Sequence, residues 1–208
     1  MNWFPNFTCM ACGTEIQTST NIYLCQKCMK NLPIMTEIQT VHFSPFIYKE
    51  PIRSMILRLK YSSNAFIAKA LAPYLAAVYL KHIKPLFNEP PIIIPVPLHR
   101  SRYYERGYNQ SEILATELAD YLDLPVNINT LTRNRKTLIQ KNMDIETRTK
   151  NMRGAFHIVP ENLNQIQNKN ILLLDDVYTT GATTNECANV LRRNGARQVI
   201  IITIASVI

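Results

Sequence analysis

The feature that most limits how this chain can fold is the run at residues 171–183, Ile-Leu-Leu-Leu-Asp-Asp-Val-Tyr-Thr-Thr-Gly-Ala-Thr. Its first four residues are apolar without alternation, the pattern of a strand covered on both faces. Asp175 and Asp176 then stand side by side where such a strand ends. Two hydroxyl residues, a glycine and another hydroxyl residue come just before a helical pattern. Open parallel sheets bind ligands beyond the carboxyl ends of their strands. A turn leading straight into a helix gathers backbone N–H groups and the positive helix end at one point, which suits a phosphate. Thr179, Thr180, Gly181, Ala182 and Thr183 are therefore the candidate phosphate cradle. The threonines add hydroxyl donors, and Gly181 permits close backbone approach. Asp175 and Asp176 cannot hold phosphate themselves, because like charges repel. As candidate catalytic residues they suit vicinal sugar hydroxyls, or a Mg²⁺ ion bridging to a diphosphate. An acidic strand end before an ordinary capped helix is the plainer alternative, and it leaves the order of the parts unexplained.

The rest of the chain extends that strand into a sheet. Residues 92–96 form a short apolar run ending near Pro95 and Pro97, a second buried strand. Asn109 can cap a helix whose face carries Leu114, Leu118 and Tyr121. Residues 170–174 read as strand and residues 183–194 as helix, with Cys187 and Leu191 four apart and Gly195 placed to end it. Residues 199–202 open a third apolar strand, which Thr203 and Ile204 can extend. Apolar strands alternating with helices predict an α/β fold with a parallel sheet covered on both faces. Upstream, residues 48–84 read as helices, with Ile52, Met55, Ile56 and Leu59 at helical spacing. The longest apolar stretch, residues 65–80, carries Lys69 and Pro73 and is short for a bilayer crossing. It predicts a buried helix broken near Pro73, and no membrane span.

At 208 residues the chain can bury one ordinary core with a small appendage. The appendage is residues 1–45, which hold four of the five cysteines and are charge-neutral; residues 46–208 form the main domain. Cys9 and Cys12, then Cys25 and Cys28, are two close pairs twelve residues apart. Four thiolates on two tight turns match a tetrahedral zinc site. With sulfur at all four positions no coordination site stays open, so the zinc is expected to be structural. Cys187, alone on an amphipathic helix, reads as core. The first residues show neither a basic start nor a continuous apolar run before Cys9, which predicts a cytoplasmic protein with reduced thiols.

The net charge is +8, which points to an anionic partner, nucleic acid or a phosphorylated small molecule, or to a merely soluble basic surface. Two stretches concentrate it. Residues 99–108 interleave Arg100, Arg102 and Arg106 with Tyr103, Tyr104 and Tyr108. Arginine beside aromatics is what a single-strand groove uses, stacking bases while pairing phosphates; a solvated basic loop whose tyrosines return to the core is the alternative. Residues 133–153 hold seven basic residues, among them Arg135 and Lys136, against two acidic ones, a local charge of +5. Poor periodicity there predicts a mobile loop.

Residues 171–183 resemble the phosphoribosyl-diphosphate signature of the type I phosphoribosyltransferases. Tyr178 departs from the aliphatic residue usual there. Thr179 stands where purine-salvage enzymes carry an aspartate facing the base, which argues against purine salvage. Residues 94–110, Ile-Pro-Val-Pro-Leu-His-Arg-Ser-Arg-Tyr-Tyr-Glu-Arg-Gly-Tyr-Asn-Gln, resemble the matching stretch of the ComF family of competence proteins. So do residues 133–140, Arg-Asn-Arg-Lys-Thr-Leu-Ile-Gln, residues 148–156, Arg-Thr-Lys-Asn-Met-Arg-Gly-Ala-Phe, and the four-cysteine head. Lys60 and Tyr61 match a further family feature. The resemblance implies a type I phosphoribosyltransferase-like sheet, with Arg100 and Arg102 meeting the diphosphate bidentately and Mg²⁺ accompanying phosphoribosyl diphosphate. It also implies a loop within residues 133–153 that closes over the diphosphate or tracks a nucleic-acid backbone. By the same resemblance the protein binds single-stranded DNA, with Arg106, Tyr104, Arg135 and Lys136 as candidates. It would support uptake of transforming DNA beside a competence helicase and strand-receiving proteins, with recruitment to the inner face of the membrane by that machinery. A metabolic phosphoribosyltransferase is the other reading, and no recognisable acceptor pocket identifies its substrate.

Overall fold

The computed structural model describes residues 7–16, 23–37, 40, 42–61, 65–135 and 152–208. Strands β1 (Phe7–Thr8) and β2 (Glu15–Ile16) pair antiparallel ahead of the short helix α1 (Gln26–Lys30). The chain then reaches the main sheet, where Phe43 bridges Ile202 and β3 (Phe46–Ile47) forms an edge. Helices α2 (Ile52–Tyr61) and α3 (Ala65–Val78) precede β4 (Ile92–Pro95). After it come α4 (Arg100–Arg106), α5 (Gln110–Leu122) and the antiparallel pair β5 (Leu131–Arg133) and β6 (Phe156–Ile158). The last unit is β7 (Asn170–Tyr178), α6 (Ala182–Arg193) and β8 (Gln198–Ser206).

The four-stranded sheet runs in the order β3-β8-β7-β4, with every pairing parallel. The unbroken apolar run requires cover on both faces, and both are covered. Leu172 and Leu174 join one apolar cluster with residues of α2, α3 and α5. Ile171 and Leu173 join a second with Phe156, Cys187 and Leu191. Successive strand residues point to opposite faces, so this alternation determines where the acids at the tip of β7 point. The predicted parallel α/β sheet is therefore observed, and β7 extends through both acids to Tyr178.

Ile52, Met55, Ile56 and Leu59 are all buried, as the spacing in α2 requires. Two expectations fail. The break at Pro73 does not occur: α3 is continuous, and the helix widens only later, into a π turn at Tyr79–Ile83. An internal proline removes one donor and crowds the preceding turn, a cost offset here by burial of Leu71, Leu75 and Tyr79. Tyr121 does not share the buried face of Leu114 and Leu118, because the last turn of α5 carries it out to 59% exposure. The cysteine-bearing segment packs Cys9, Ala11, Ile16, Leu24 and Cys28 into the same apolar cluster as α2 and α3. The point between residues 45 and 46 lies in the strip joining that segment to the sheet edge.

Candidate functional site

The site begins with the alternation at the tip of β7. Asp176 follows Leu172 and Leu174 to the α5 side, where it is buried. Its Oδ2 accepts from Lys60 Nζ at 2.7 Å and from Gln110 Nε2 at 3.2 Å. Asp175 is half-buried, and its Oδ1 accepts from Ser111 Oγ at 2.8 Å and from the Asp176 amide at 2.9 Å. Local sequence places each partner. With Leu59 in the core, Lys60 ends α2 beside the tip of β7. Asn109 caps α5, accepting from Ser111 N at 3.1 Å while donating to the Val96 carbonyl at 3.1 Å. That double bond ties the start of α5 to the end of β4 and seats Gln110 and Ser111 against the acids. Arg106 donates to Gln110 Oε1 at 2.9 Å and lies 5.2 Å from the Tyr61 ring centroid. Tyr108 donates to the Leu59 carbonyl, fastening the segment after α4 to α2.

The electrostatics follow from this packing. Burial, then the Asp176 charge, raises Asp175 from 3.8 to about 7, against the opposing hydrogen bond from Ser111. Burial would lower Lys60, yet Asp176 and Asp175 together more than reverse it, so the ammonium is held above its ordinary value. Burial and the neighbouring Arg106 pull Arg102 down, while Asp176 favours its charge. Arg133 is pulled down by burial and by Arg102. Three arginines thus share one field around the acid pair.

Beyond Tyr178 the chain turns through residues 179–181 into α6. Gly181 has φ of 75° and begins the helix without a capping side chain. A Cβ there would lie 2.3 Å from the Tyr178 hydroxyl and 2.6 Å from Asn185 Nδ2, so only glycine fits. Thr179 is exposed, Thr180, Ala182 and Thr183 are half-buried, and the Thr180 hydroxyl lies 3.4 Å from the Ala182 amide it accepts from. The Tyr178 ring stacks on His42 at 3.5 Å, and His42 Nε2 and Ser206 Oγ are 3.0 Å apart. The usual aliphatic residue is thus replaced by a ring that supports the turn from behind.

Residues 100–106 form a helix, not the solvated basic loop of the alternative reading, because His99 Nδ1 accepts from Ser101 N at 3.2 Å at one end and Gly107 takes φ of 80° at the other. Arg102 lies in the field of Asp176. Arg100 and Tyr104 are exposed on the same helix. Arg135 is exposed and donates to the Arg153 carbonyl at 3.0 Å. Lys136 and most of the predicted mobile loop lie outside the described residues. Sequence reasoning missed Gln110, Ser111 and His42 and gave Lys60 no role. The only available signal was that Gln110 and Ser111 follow a capping asparagine.

In the N-terminal segment the four cysteine sulfurs lie within 4.8 Å of one another. Cys12 Sγ and Cys25 Sγ are 3.7 Å apart, close to the edge of about 3.8 Å that zinc–sulfur bonds of 2.3 Å give a tetrahedron. The Thr14 hydroxyl leads the contacts that lower Cys12 to about 6, toward the thiolate a metal needs. The cluster can hold a metal ion, and its donor set fits zinc.

The Phosphoribosyl transferase domain family matches residues 109–207, which span α5, the tip of β7 and the turn. Over 193 residues the chain is 33% identical to Competence protein F of Haemophilus influenzae, covering 92% of this chain and 81% of that protein. The chain belongs to the ComF family. The DNA utilization protein YhgH of Escherichia coli K12 is 32% identical over 194 residues, 92% of this chain and 80% of its own length. Competence protein ComFC of Bacillus subtilis is 28% identical over 154 residues, 73% of this chain and 58% of its own. The parallel sheet of this ComF protein is that of the type I phosphoribosyltransferases. Among the described residues no helix is long and apolar enough to cross a membrane.

Proposed function

We propose that this ComF protein binds phosphoribosyl diphosphate at the tip of β7 and single-stranded DNA on the adjoining basic and aromatic surface, and so supports uptake of transforming DNA into the cytoplasm. The observation that carries the reading is the half-buried Asp175 beside a hydroxyl-lined turn that enters α6 without a side-chain cap. The turn amides and threonine hydroxyls of residues 179–183 receive the 5′-phosphate. Asp175 accepts from ribose hydroxyls or supplies a carboxylate to Mg²⁺, an ion usually held by one or two carboxylates and substrate phosphates. When bound, Mg²⁺ would neutralise diphosphate charge. Asp176, paired with Lys60, is the weaker ligand of the two and acts by holding the strand tip in place. Arg102, with Arg100 at the rim, balances the diphosphate.

The DNA half of the reading rests on the names of the relatives, Competence protein F and DNA utilization protein, and on surface chemistry. Tyr61, Tyr103 and Tyr104 are 69%, 46% and 77% exposed around Arg106. Exposed rings beside guanidinium groups stack bases and pair phosphates without reading sequence. Exposed Arg135 adds positive charge, and Lys136 follows it in the sequence. Zinc on Cys9, Cys12, Cys25 and Cys28 would staple the small N-terminal module against α2, and a competence helicase and strand-receiving proteins are the expected partners. A metabolic phosphoribosyltransferase is the second reading, favoured by the domain match, but Thr179 brings no carboxylate to an acceptor base.

A thermal-shift titration tests the pocket. Phosphoribosyl diphosphate with Mg²⁺ should raise the melting temperature of the wild type, and Asp175→Asn should abolish most of the rise. A full shift in the variant would remove Asp175 from the site. Binding of labelled oligothymidylate should weaken steeply with salt, and its absence at low salt would sink the DNA role. Diphosphate release on screening nucleobases would favour the metabolic reading.

A further inference from the structure

A cleft of about 500 Å³ opens beside the 179–181 turn and follows the outer side of α6. Thr180, a member of the turn, lines its mouth. Asn185, Asn189 and Arg193 recur every fourth residue, so a single helical stripe forms the floor. From Asn185 to Arg193 that stripe extends about 12 Å at 1.5 Å per residue. Arg153 and Gly154 also line it. The acid within the cleft, Glu186, already accepts from the Gly154 amide at 2.9 Å, which moderates its repulsion of an anion. Amides, a hydroxyl and two guanidinium groups are the donor set that grips nucleic-acid phosphates and sugars. The volume suits a nucleotide-sized group.

Asp175 and Asp176 do not line this cleft. The sugar side of the site and the cleft therefore meet at the turn, where a phosphate is expected. A ligand touching both must be continuous through that phosphate, and a pentose joined onward through its 5′-phosphate is a phosphodiester. We propose that the cleft takes the nucleotide whose 3′ oxygen esterifies a phosphate seated in the turn, so that the turn accepts an internal linkage of single-stranded DNA as well as the terminal phosphate of a phosphoribosyl ligand. The inference rests on the phosphate reading of the turn given above. It makes the two ligands mutually exclusive: each needs the same amides, and only the DNA strand continues along α6.

The test uses the full chain and the variant Arg193→Gln/Asn189→Ala, both side chains being exposed on a helix so that folding is retained. Labelled oligothymidylate is titrated by fluorescence anisotropy, and phosphoribosyl diphosphate with Mg²⁺ is followed by thermal shift. The variant should bind the oligonucleotide about tenfold more weakly, with a salt slope lower by about one, while its sugar-diphosphate shift stays at the wild-type value. Phosphoribosyl diphosphate should also displace the oligonucleotide from the wild type. Unchanged oligonucleotide affinity in the variant, or no displacement, overturns the inference and leaves the pocket standing. If the wild type shows no sugar-diphosphate shift, the pocket reading fails. A variant that then still loses the oligonucleotide would mean that DNA enters the cleft without the turn, which also overturns the inference.

Discussion

At the tip of β7, Asp176 is nearly covered and meets the Lys60 ammonium at 2.7 Å; its neighbour Asp175, half-covered, meets the neutral Ser111 hydroxyl from the first turn of α5 and a backbone amide. The two residues are identical in type and adjacent in sequence. Their partners give one a cation at hydrogen-bond distance, while burial and the charge of its neighbour raise the other to about 7. A paired acidic motif at a strand end is therefore two different devices. One carboxylate belongs to the frame, tying α2 and α5 to the sheet. The other, held by a neutral hydroxyl and an amide, is the one proposed above to meet the ligand.

The largest effect should come from breaking the frame. Lys60→Met leaves the buried Asp176 carboxylate without its cation, and removing one partner of a buried pair costs about 3–5 kcal/mol. Urea unfolding would read this directly. Adding Asp176→Leu should recover most of the loss, because an apolar pair of similar volume is tolerated where a lone buried charge is not. If Lys60→Met alone costs under about 1 kcal/mol, the pair behaves like a surface ion pair and the contrast between the two acids disappears.

A smaller, more diagnostic effect concerns the adjustable acid. Mg²⁺ and ribose hydroxyls both require ionised Asp175. Mg²⁺-dependent affinity for phosphoribosyl diphosphate should therefore climb by up to about tenfold per pH unit below 7 and level off above it. Calorimetry at several pH values should show the binding step releasing a proton near pH 6. Asp175→Asn should flatten the profile. A wild-type profile flat from pH 5 to 8 would mean that Asp175 is already ionised in the free protein.

Much of this arrangement was legible in the sequence. The apolar runs gave the parallel sheet because strands buried on both faces need no alternation to be recognised, and the turn was legible because its glycine and hydroxyls stand in fixed order before a helix. What stayed hidden depends on partners brought from far along the chain. Lys60 is 116 residues from the acid it neutralises, and Gln110 is 66. No local pattern encodes either contact. Arg100 and Arg102 looked equivalent as text, but in the helix of residues 100–106 Arg102 is half-buried within the field of Asp176, whereas Arg100 is exposed. Tyr178 was visible as a departure from the family, and its purpose needed His42, which comes from the strip entering the sheet edge.

That ring pair supplies the smallest and most discriminating prediction. Burial lowers His42 to about 4, so the folded protein holds it neutral while an unfolded chain protonates it at an ordinary 6.5. Stability from His42 is complete above pH 6.5 and is lost as the pH falls toward 4. Asp175 has the opposite sign. Its folded value of about 7 lies above the unfolded 3.8, so its contribution favours the fold at low pH and is lost as the pH rises from 3.8 through 7. The two trends oppose each other between pH 4 and 6.5. The ligand-free wild type should show a shallower melting-temperature profile there than either single variant. His42→Phe keeps a ring against Tyr178, a stacking contact worth about 0.5–1.5 kcal/mol, and should uncover stability that declines with rising pH. Asp175→Asn should uncover the reverse slope. Parallel profiles for the two variants would show that the back of the turn and its ligand side do not differ in the way the strand alternation requires.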